Sequence, residues 1–233
     1  MRINYTDGYY EGSVNQYDRP HGQGKLVQYN GNTYIGEFRN GELYLCTVYM
    51  NNKRKFFGYF EYGRQKGEGE LYSDSGRVIA KGYFIDFKLN GRGTTFDQYG
   101  RKVDEGIFND HEVYLSGVHY YADGSKIEFE RIDGYSKEII GAKYYRKTGT
   151  LAYEGDMKNF QKHGYGTDYT SNGEKLYEGW YKEGKRHGYG HLYYTDGEYL
   201  GYFENHMRHG KGEFRYYNGT IKRGMFSNDK FIG

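Results

Sequence analysis

Aromatic residues and glycines alternate with polar residues along most of the chain, as in the stretch "HGYGHLYYTDGEYLGYF" at residues 187–203. Side chains two residues apart lie on the same face of a β-strand, so Tyr199, Gly201 and Phe203 share one face. The next stretch, "GKGEFRYY", places a second set on one face in the same way: Gly210, Gly212, Phe214 and Tyr216. No segment follows the helical period, although "SKEIIGAKYY" fits either element. The pattern predicts an all-β chain of hairpins.

This alternation recurs with a period of 21 to 28 residues. One glycine, that of a Tyr-x-Gly pattern or its degenerate versions, marks each period: Gly12, Gly36, Gly58, Gly82, Gly106, Gly134, Gly155, Gly179, Gly201 and Gly224. A second series marks the first glycine of Gly-x-Gly: Gly22, Gly67, Gly91, Gly164, Gly188 and Gly210. Self-similarity at this period predicts a repeat protein in which each unit contacts its neighbours.

Turn dipeptides lie between the periods: Asp7-Gly8, Asn30-Gly31, Asp123-Gly124, Asn172-Gly173, Asp196-Gly197 and Asn218-Gly219. Asn-Gly and Asp-Gly supply the positive φ that tight hairpin turns require. Glycine inside a strand is costly unless something approaches the backbone closely. We therefore predict that each Tyr-x-Gly glycine leaves a slot for a ring from the neighbouring hairpin. Two residues beyond that glycine the side chain is large at every repeat except the one with Ser136: Val14, Phe38, Phe60, Phe84, Phe108, Met157, Tyr181, Phe203 and Phe226.

The unit "YEGWYKEGKRHGYGHLYYTDGEYLGYF" resembles the MORN repeat (membrane occupation and recognition nexus). The resemblance covers about ten units and nearly the whole chain. It implies an elongated, twisted antiparallel sheet of tandem hairpins with a groove, as one solenoid over residues 1–233. Better-matching repeats occupy 9–42, 56–110 and 153–226, whereas 43–55 and 111–152 are degenerate. Irregular units are therefore expected near 43–57 and 111–145.

Composition supports a folded, aromatic core. The formal net charge is only +2, and 31 tyrosines raise the aromatic fraction to 20%, whereas disordered chains are poor in aromatics. The balanced charge argues against nucleic acid as a partner. The single cysteine, Cys46, excludes an intrachain disulfide and is compatible with a reducing compartment, which favours a cytoplasmic location. No apolar run is long enough to span a membrane.

The sequence contains only weak signals for a catalytic, metal or cofactor site. Four histidines recur once per repeat before Gly-x-Gly and are interpreted as turn-stabilising: His21, His163, His187 and His209. Neighbouring ones would lie about 10 Å apart, too far for shared metal ligation. Gly-x-Gly precedes a strand here, whereas a phosphate cradle requires a helix. We therefore expect no enzyme activity, cofactor or metal.

The leading hypothesis is a non-catalytic scaffold for a protein partner, a helix or an extended peptide, within a cytoskeletal, ciliary or membrane-associated assembly. The partner-binding aromatic face is predicted to consist of Tyr181, Tyr199, Phe203, Phe214 and Tyr216. Exposed aromatics suit this role because they have few side-chain torsions to order.

Three alternatives remain open. Basic residues at the turns would form a stripe for anionic lipid headgroups: Lys53, Arg54, Lys55, Lys162, Lys185, Arg186 and Arg208. The chain would then be a membrane tether. Repeats of this kind also form homodimers. Finally, "YYRKTGTLAYEGDMKNFQKHGYG" resembles MORN-like variant proteins of bacteria, some of which act as antitoxins.

Overall fold

The computed structural model describes residues 1–133 and 136–233, with only the backbone of residues 112–115. This part of the chain contains 21 β-strands and no helix. Within each stretch of strands, residues 2–109 and 112–231, consecutive strands pair in antiparallel fashion, as in the hairpin formed by residues 175–182 and 185–193. The predicted all-β class and tandem hairpins are confirmed. The structure divides into two compact units, Met1–Val113 and Tyr114–Gly233, and each is described by itself. That residues 1–233 form a single solenoid stays a prediction.

The strands of the first unit follow one another as a meander: β1 (Arg2–Tyr5), β2 (Gly8–Val14), β3 (Pro20–Gln28), β4 (Asn32–Arg39), β5 (Glu42–Met50), β6 (Lys53–Glu61), β7 (Arg64–Tyr72), β8 (Val78–Ile85), β9 (Lys88–Phe96) and β10 (Lys102–Asn109). The strands of the second unit are β11 (Glu112–Tyr120), β12 (Lys126–Ile132), β13 (Glu138–Tyr145), β14 (Leu151–Lys158), β15 (Gln161–Tyr169), β16 (Lys175–Lys182), β17 (Lys185–Tyr193), β18 (Gly197–Glu204), β19 (Met207–Tyr216), β20 (Ile221–Ser227) and β21 (Lys230–Phe231). Strand β11 begins two residues before the start of this unit.

Glycines form rows that cross the strands. In the second unit Gly179 pairs with Gly190, Gly190 with Gly201, and Gly201 with Gly212. In these hairpins the glycine of Tyr-x-Gly therefore faces the second glycine of Gly-x-Gly on the next strand. The spacing of these glycines in the sequence therefore corresponds to the register in which neighbouring strands pair.

In most repeats a ring lies over the pair of facing glycines, but it comes from the strand of the Tyr-x-Gly glycine and not from the neighbouring hairpin. A Cβ built on Gly190 would lie 2.6 Å from Cζ of Tyr177, and one on Gly179 would lie 2.6 Å from its Oη. Tyr177 is two residues before Gly179, so it folds back over its own hairpin. Its hydroxyl donates a hydrogen bond to the carbonyl of Trp180 at 3.1 Å. The predicted slot exists, but the predicted origin of the ring is wrong.

The neighbouring hairpin contributes the second layer of the core. Phe203 packs edge to face on Tyr177 with ring centroids 5.2 Å apart, and Phe226 packs on Tyr199 at 4.9 Å. Edge-to-face packing at this separation is the preferred geometry of aromatic pairs. The large residues two beyond each glycine thus join successive repeats, which explains why Tyr177, Tyr199 and Phe203 are buried.

The two glycines of Gly-x-Gly have different functions. The second, as at Gly212, makes room for the ring. The first, Gly210, has φ of +77° and lies where the register between β18 and β19 shifts. Positive φ at such a bulge favours glycine because it has no Cβ.

The segment 43–57, predicted to be irregular, keeps its strand pairing. Cys46 takes the place of the second glycine and pairs with Gly36 on one side and Gly58 on the other. The side chain of Cys46 is fully buried, and Tyr34, which would lie there, is only half-buried. The irregularity is therefore confined to the slot, where a thiol replaces a ring.

The segment 111–145 departs more strongly from the repeat. Phe129 pairs with Gly117, the position that glycine takes elsewhere, and the register shifts between Ile139 and Ala142. The alignment that placed Gly134 in the glycine series is wrong, because Phe129 has that position; Gly134 itself lies outside the described residues.

The buried thiol of Cys46 leads to a test of the fold. Burial raises the pKa of Cys46 to about 11, so we expect its alkylation by iodoacetamide near pH 8 to be slower in the folded protein than in urea by about 100-fold or more. A variant with Cys46→Ala and Tyr17→Cys, which moves the thiol to an exposed site, serves as control and should react quickly in both states. Equal rates for Cys46 in the two states would contradict its burial.

Candidate interaction surface

The structure places most of the predicted partner-binding face in the core. Tyr181, Tyr199, Phe203 and Phe214 are buried, and Tyr216 is half-buried. These rings face the aromatic column between repeats, as described for Tyr199 and Phe203. The prediction that they form the contact surface is therefore wrong for the four buried residues, because a partner cannot reach them without opening the repeat.

The opposite face of β15–β20 carries an exposed line of large side chains, which we name the aromatic stripe: Tyr165, Trp180, Tyr189, Tyr202 and Met225. They occupy the x positions of Gly-x-Gly and of Gly-x-Phe or Gly-x-Tyr, and alternation directs these away from the core. Tyr165 pairs across the strands with Trp180, and Tyr189 with Tyr202. Their centroids lie 5.9 and 5.4 Å apart, with rings nearly perpendicular.

These side chains are well exposed, at 52% for Trp180, 50% for Tyr202 and 49% for Tyr189. The fold does not require aromatics there. In the first unit the same cross-strand positions hold Gln23 opposite Glu37, and elsewhere Glu68 opposite Tyr83. A hairpin of this repeat therefore forms with polar residues at these positions, and the stripe of the second unit needs another explanation.

One end of the stripe opens into a cleft of about 420 Å³ between Tyr189, Tyr202 and Met225. Its polar lining consists of three cations and one carboxylate: Lys211, Arg215, Arg223 and Glu213. Arg215 and Arg223 both form ion pairs with Glu213, which keeps the pKa of Glu213 below its usual range. Lys211 has no carboxylate partner among the residues that the structure describes. The lining of the cleft therefore combines apolar side chains with an excess of positive charge.

The sequence contained the signal for this stripe. Once Tyr199, Gly201 and Phe203 are assigned to one face, Leu200 and Tyr202 must lie on the other. What the alternation did not reveal is which face is covered.

The predicted basic stripe is not a single array of free cations. Lys53 lies 3.2 Å from Asp74, and Lys55 also binds this carboxylate. Both lysines lower the pKa of Asp74 through hydrogen bonds. Arg54 lies over the ring of Tyr72. In the second unit, Lys162 binds Asp168 and Arg208 binds Asp229, whereas Lys185 and Arg186 have no carboxylate partner within the described ranges.

Lys162, Arg186 and Arg208 also cover the aromatic column. The Arg186 guanidinium lies 5.5 Å from the ring centroid of Tyr177, and Lys162 lies 5.0 Å from that of Tyr153. Cations within about 6 Å of a ring face are attracted to it. These side chains thus help to shield from water the rings that a single sheet would otherwise leave open.

The histidines partly follow the turn-stabilising interpretation. Nδ1 of His21 accepts a hydrogen bond from the backbone N–H of Asn40 at 3.4 Å, which links adjacent hairpins. His206, which the sequence did not single out, accepts one from Arg186 N–H at 3.3 Å. Burial lowers the pKa of His206, and the nearby cations, Arg186 foremost, lower it further. It therefore favours the neutral form that accepts this bond.

No group of three or more His, Cys, Asp or Glu side chains in the described part of the chain is arranged to hold a metal ion. In the same residues, no helix has the length and apolar character needed to cross a membrane.

Comparison with known proteins agrees with the repeat geometry. The MORN repeat model matches residues 10–33, 34–43, 153–174, 177–198 and 199–221. No curated protein sequence matches the chain. One solved structure, selenomethionine-substituted virginiamycin B lyase from Staphylococcus aureus, is 10% identical over 94% of this chain and 74% of that chain, with a TM-score of 0.16, which is too low to support any argument. The five matches, together with the glycine row and the aromatic column, show that the chain contains MORN repeats within residues 10–43 and 153–221.

Proposed function

We propose that this protein is a non-catalytic scaffold that binds a protein partner through the aromatic stripe of its second unit. The observation that carries the proposal is that the repeat does not require aromatic side chains at these positions. The same positions of the same repeat are polar at Gln23 and Glu37 but aromatic at Tyr165 and Trp180. Exposed Tyr and Trp are the residues most enriched among binding hot spots.

The buried free thiol of Cys46 is compatible with a reducing compartment, which supports a cytoplasmic location for such an assembly. The extent of the stripe over six strands suits one subunit that holds a segment of another. It replaces the buried aromatic column as the surface that a partner would contact.

Affinity capture with quantitative mass spectrometry from cells of the source organism tests the proposal. The stripe variant carries Tyr165→Gln, Tyr189→Gln and Tyr202→Gln. Polar residues are compatible with the repeat, because Gln23 occupies the position of Tyr165 and Tyr189, and Glu37 that of Tyr202. We expect the stripe variant to capture at least about 30-fold less of the stoichiometric partner, since each hot-spot aromatic contributes about 2 kcal/mol or more to binding.

The matched control carries Tyr17→Gln, Tyr29→Gln and Tyr99→Gln, three exposed tyrosines of the first unit. It should retain the partner. Unchanged thermal unfolding of both variants would establish that they are folded. Equal capture by the stripe variant and the control would refute the proposal.

An anionic lipid surface is the second candidate partner, because Lys185 and Arg186 have no carboxylate partner among the described side chains. Sedimentation with vesicles containing phosphatidic acid, at low and high salt, separates the two candidates. Lipid binding predicts sedimentation that weakens with salt and is lost in a Lys185→Gln, Arg186→Gln variant. If the unmodified chain stays in the supernatant at low salt, the lipid candidate is eliminated.

A further inference from the structure

The stripe has a repeat distance that selects among peptide conformations. One cross-strand pair occurs in each hairpin, and two strands span about 9.6 Å at the usual strand separation. A polyproline II helix advances about 3.1 Å per residue and presents the same face every third residue, which is about 9.3 Å. An α-helix returns to a face after two turns, about 10.8 Å, so its mismatch with the stripe is larger and accumulates faster.

The surface of the stripe also suits such a segment. Tyr165 and Trp180 form one edge-to-face pair, and Tyr189 and Tyr202 form the next. Gly188, on the strand next to Trp180, adds no side chain beside these pairs; a Cβ on it would lie 3.3 Å from the Cβ of Trp180. Aromatic ridges separated by a furrow are the geometry with which proteins bind proline-rich segments, whose rings fit between them at low entropic cost.

The charge of the adjoining cleft specifies one end of the occupant. Lys211, Arg215 and Arg223 outnumber Glu213 by two charges in the lining of that cleft. Since Lys211 lies beside Met225 in the next cross-strand pair, the charge continues the line of the stripe. A segment that follows the stripe would therefore gain from acidic residues where it reaches Lys211.

From the spacing, the furrow and the charge, we infer that the partner segment is a proline-rich peptide in the polyproline II conformation with acidic residues at one end. The inference rests on the proposed function and adds the chemistry of the partner. Prolines contact the pairs Tyr165–Trp180 and Tyr189–Tyr202, and carboxylates contact Lys211 and Arg223.

Trp180 is the single tryptophan of the chain, so its fluorescence reports directly on the stripe. The experiment titrates the full chain with a synthetic peptide of three Pro-Pro-Leu triplets followed by Asp-Asp. We expect a saturable blue shift of Trp180 emission as its exposed ring is covered. In a variant with Tyr189→Gln and Tyr202→Gln, which keeps Trp180, the affinity should fall at least about 10-fold.

Two further variants and two further peptides complete the design. Lys211→Gln with Arg223→Gln should weaken the acidic peptide at least several-fold but leave a peptide ending in Gln-Gln unchanged. The Tyr17→Gln, Tyr29→Gln, Tyr99→Gln control should bind like the unmodified chain. A peptide in which glycines replace the prolines loses the preformed conformation and should bind much more weakly.

The possible results separate this inference from the function on which it rests. If the proline peptide does not bind, or the glycine peptide binds equally well, the inference is overturned while the captured partner still decides the proposed function. If an amphipathic helical peptide shifts Trp180 at lower concentration, a helix is the occupant instead. If sedimentation shows a dimer that the stripe variant abolishes, a second copy of the chain covers the stripe, and the inference is equally overturned.

Discussion

Replacing Tyr177 by alanine is expected to lower the free energy of unfolding by about 3–5 kcal/mol. The ring is fully buried, and its removal empties the space above two facing glycines, Gly179 and Gly190, which have no side chains to fill it. It also removes edge-to-face contacts with Tyr181 and Phe203, both with centroids 5.2 Å away. Because the contact with Phe203 connects successive repeats, the loss is not confined to one hairpin.

Two matched variants identify the source of this effect. Tyr177→Phe removes only the hydrogen bond to the carbonyl of Trp180 and should cost about 1 kcal/mol. Tyr189→Ala removes an exposed ring of the stripe and should cost less than about 1 kcal/mol. Urea denaturation followed by circular dichroism measures all three. Similar losses for Tyr177→Ala and Tyr189→Ala would show that the column is not the core.

Adding a methyl group to the slot should be as damaging as emptying it. Gly190→Ala would place a Cβ 2.6 Å from Cζ of Tyr177, a distance that real contacts do not reach. Overpacking of a buried site usually costs about 1–3 kcal/mol and occasionally more. We expect the upper end, about 3 kcal/mol, because the rings of Tyr181 and Phe203 pack against Tyr177 and restrict its movement.

The neighbouring bulge glycine provides the contrast. A Cβ on Gly210 would have its nearest atom 3.6 Å away, so Gly210→Ala introduces no clash and costs only the positive φ, about 1–2 kcal/mol. Chemical denaturation of both variants compares the two kinds of glycine. A larger loss at Gly210 than at Gly190 would contradict the distinction between bulge and slot.

A double-mutant cycle tests the contact itself. In a Tyr177→Leu background the ring is absent, so Gly190→Ala should cost less than about 1 kcal/mol, and the two substitutions should be non-additive by about 2 kcal/mol or more. The chain contains a precedent, since Cys46 fills the slot opposite Gly36 and the ring of Tyr34 is displaced to a half-buried position. Additive losses would mean that Tyr177 and Gly190 do not share one space.

In another repeat of the chain a different side chain also replaces the ring in the slot. At residue 80 the aromatic of Tyr-x-Gly is alanine, and the slot at Gly93 is filled by Leu89 from its own strand. The sequence showed Ala80 as a degenerate position but did not show what compensates it. The compensating residue, Leu89, is four positions before the glycine in β9, and no feature of the repeat pattern marks it.

Some features depended on local rules and could be predicted from the pattern. Alternation determined the strands, the glycine spacing determined the register in which Gly190 faces Gly179 and Gly201, and Asn-Gly or Asp-Gly marked one set of turns. The turns at the other end of the strands were not recognised, because residues there such as Asn205 and His206 adopt positive φ although they are not glycine. In the degenerate segment the alignment followed a glycine in sequence, whereas strand pairing placed Phe129 at that position.

The sequence by itself determined the repeat, its period, the all-β class and the division of each strand into two faces, because these follow from periods of two and about two dozen residues. Only the tertiary structure decided which face is the core. That choice depends on whether Phe203 reaches the ring of Tyr177 and whether Arg186 covers it, which are contacts between residues of different strands that no local pattern encodes. The buried column and the exposed stripe have similar composition, and only packing distinguishes them.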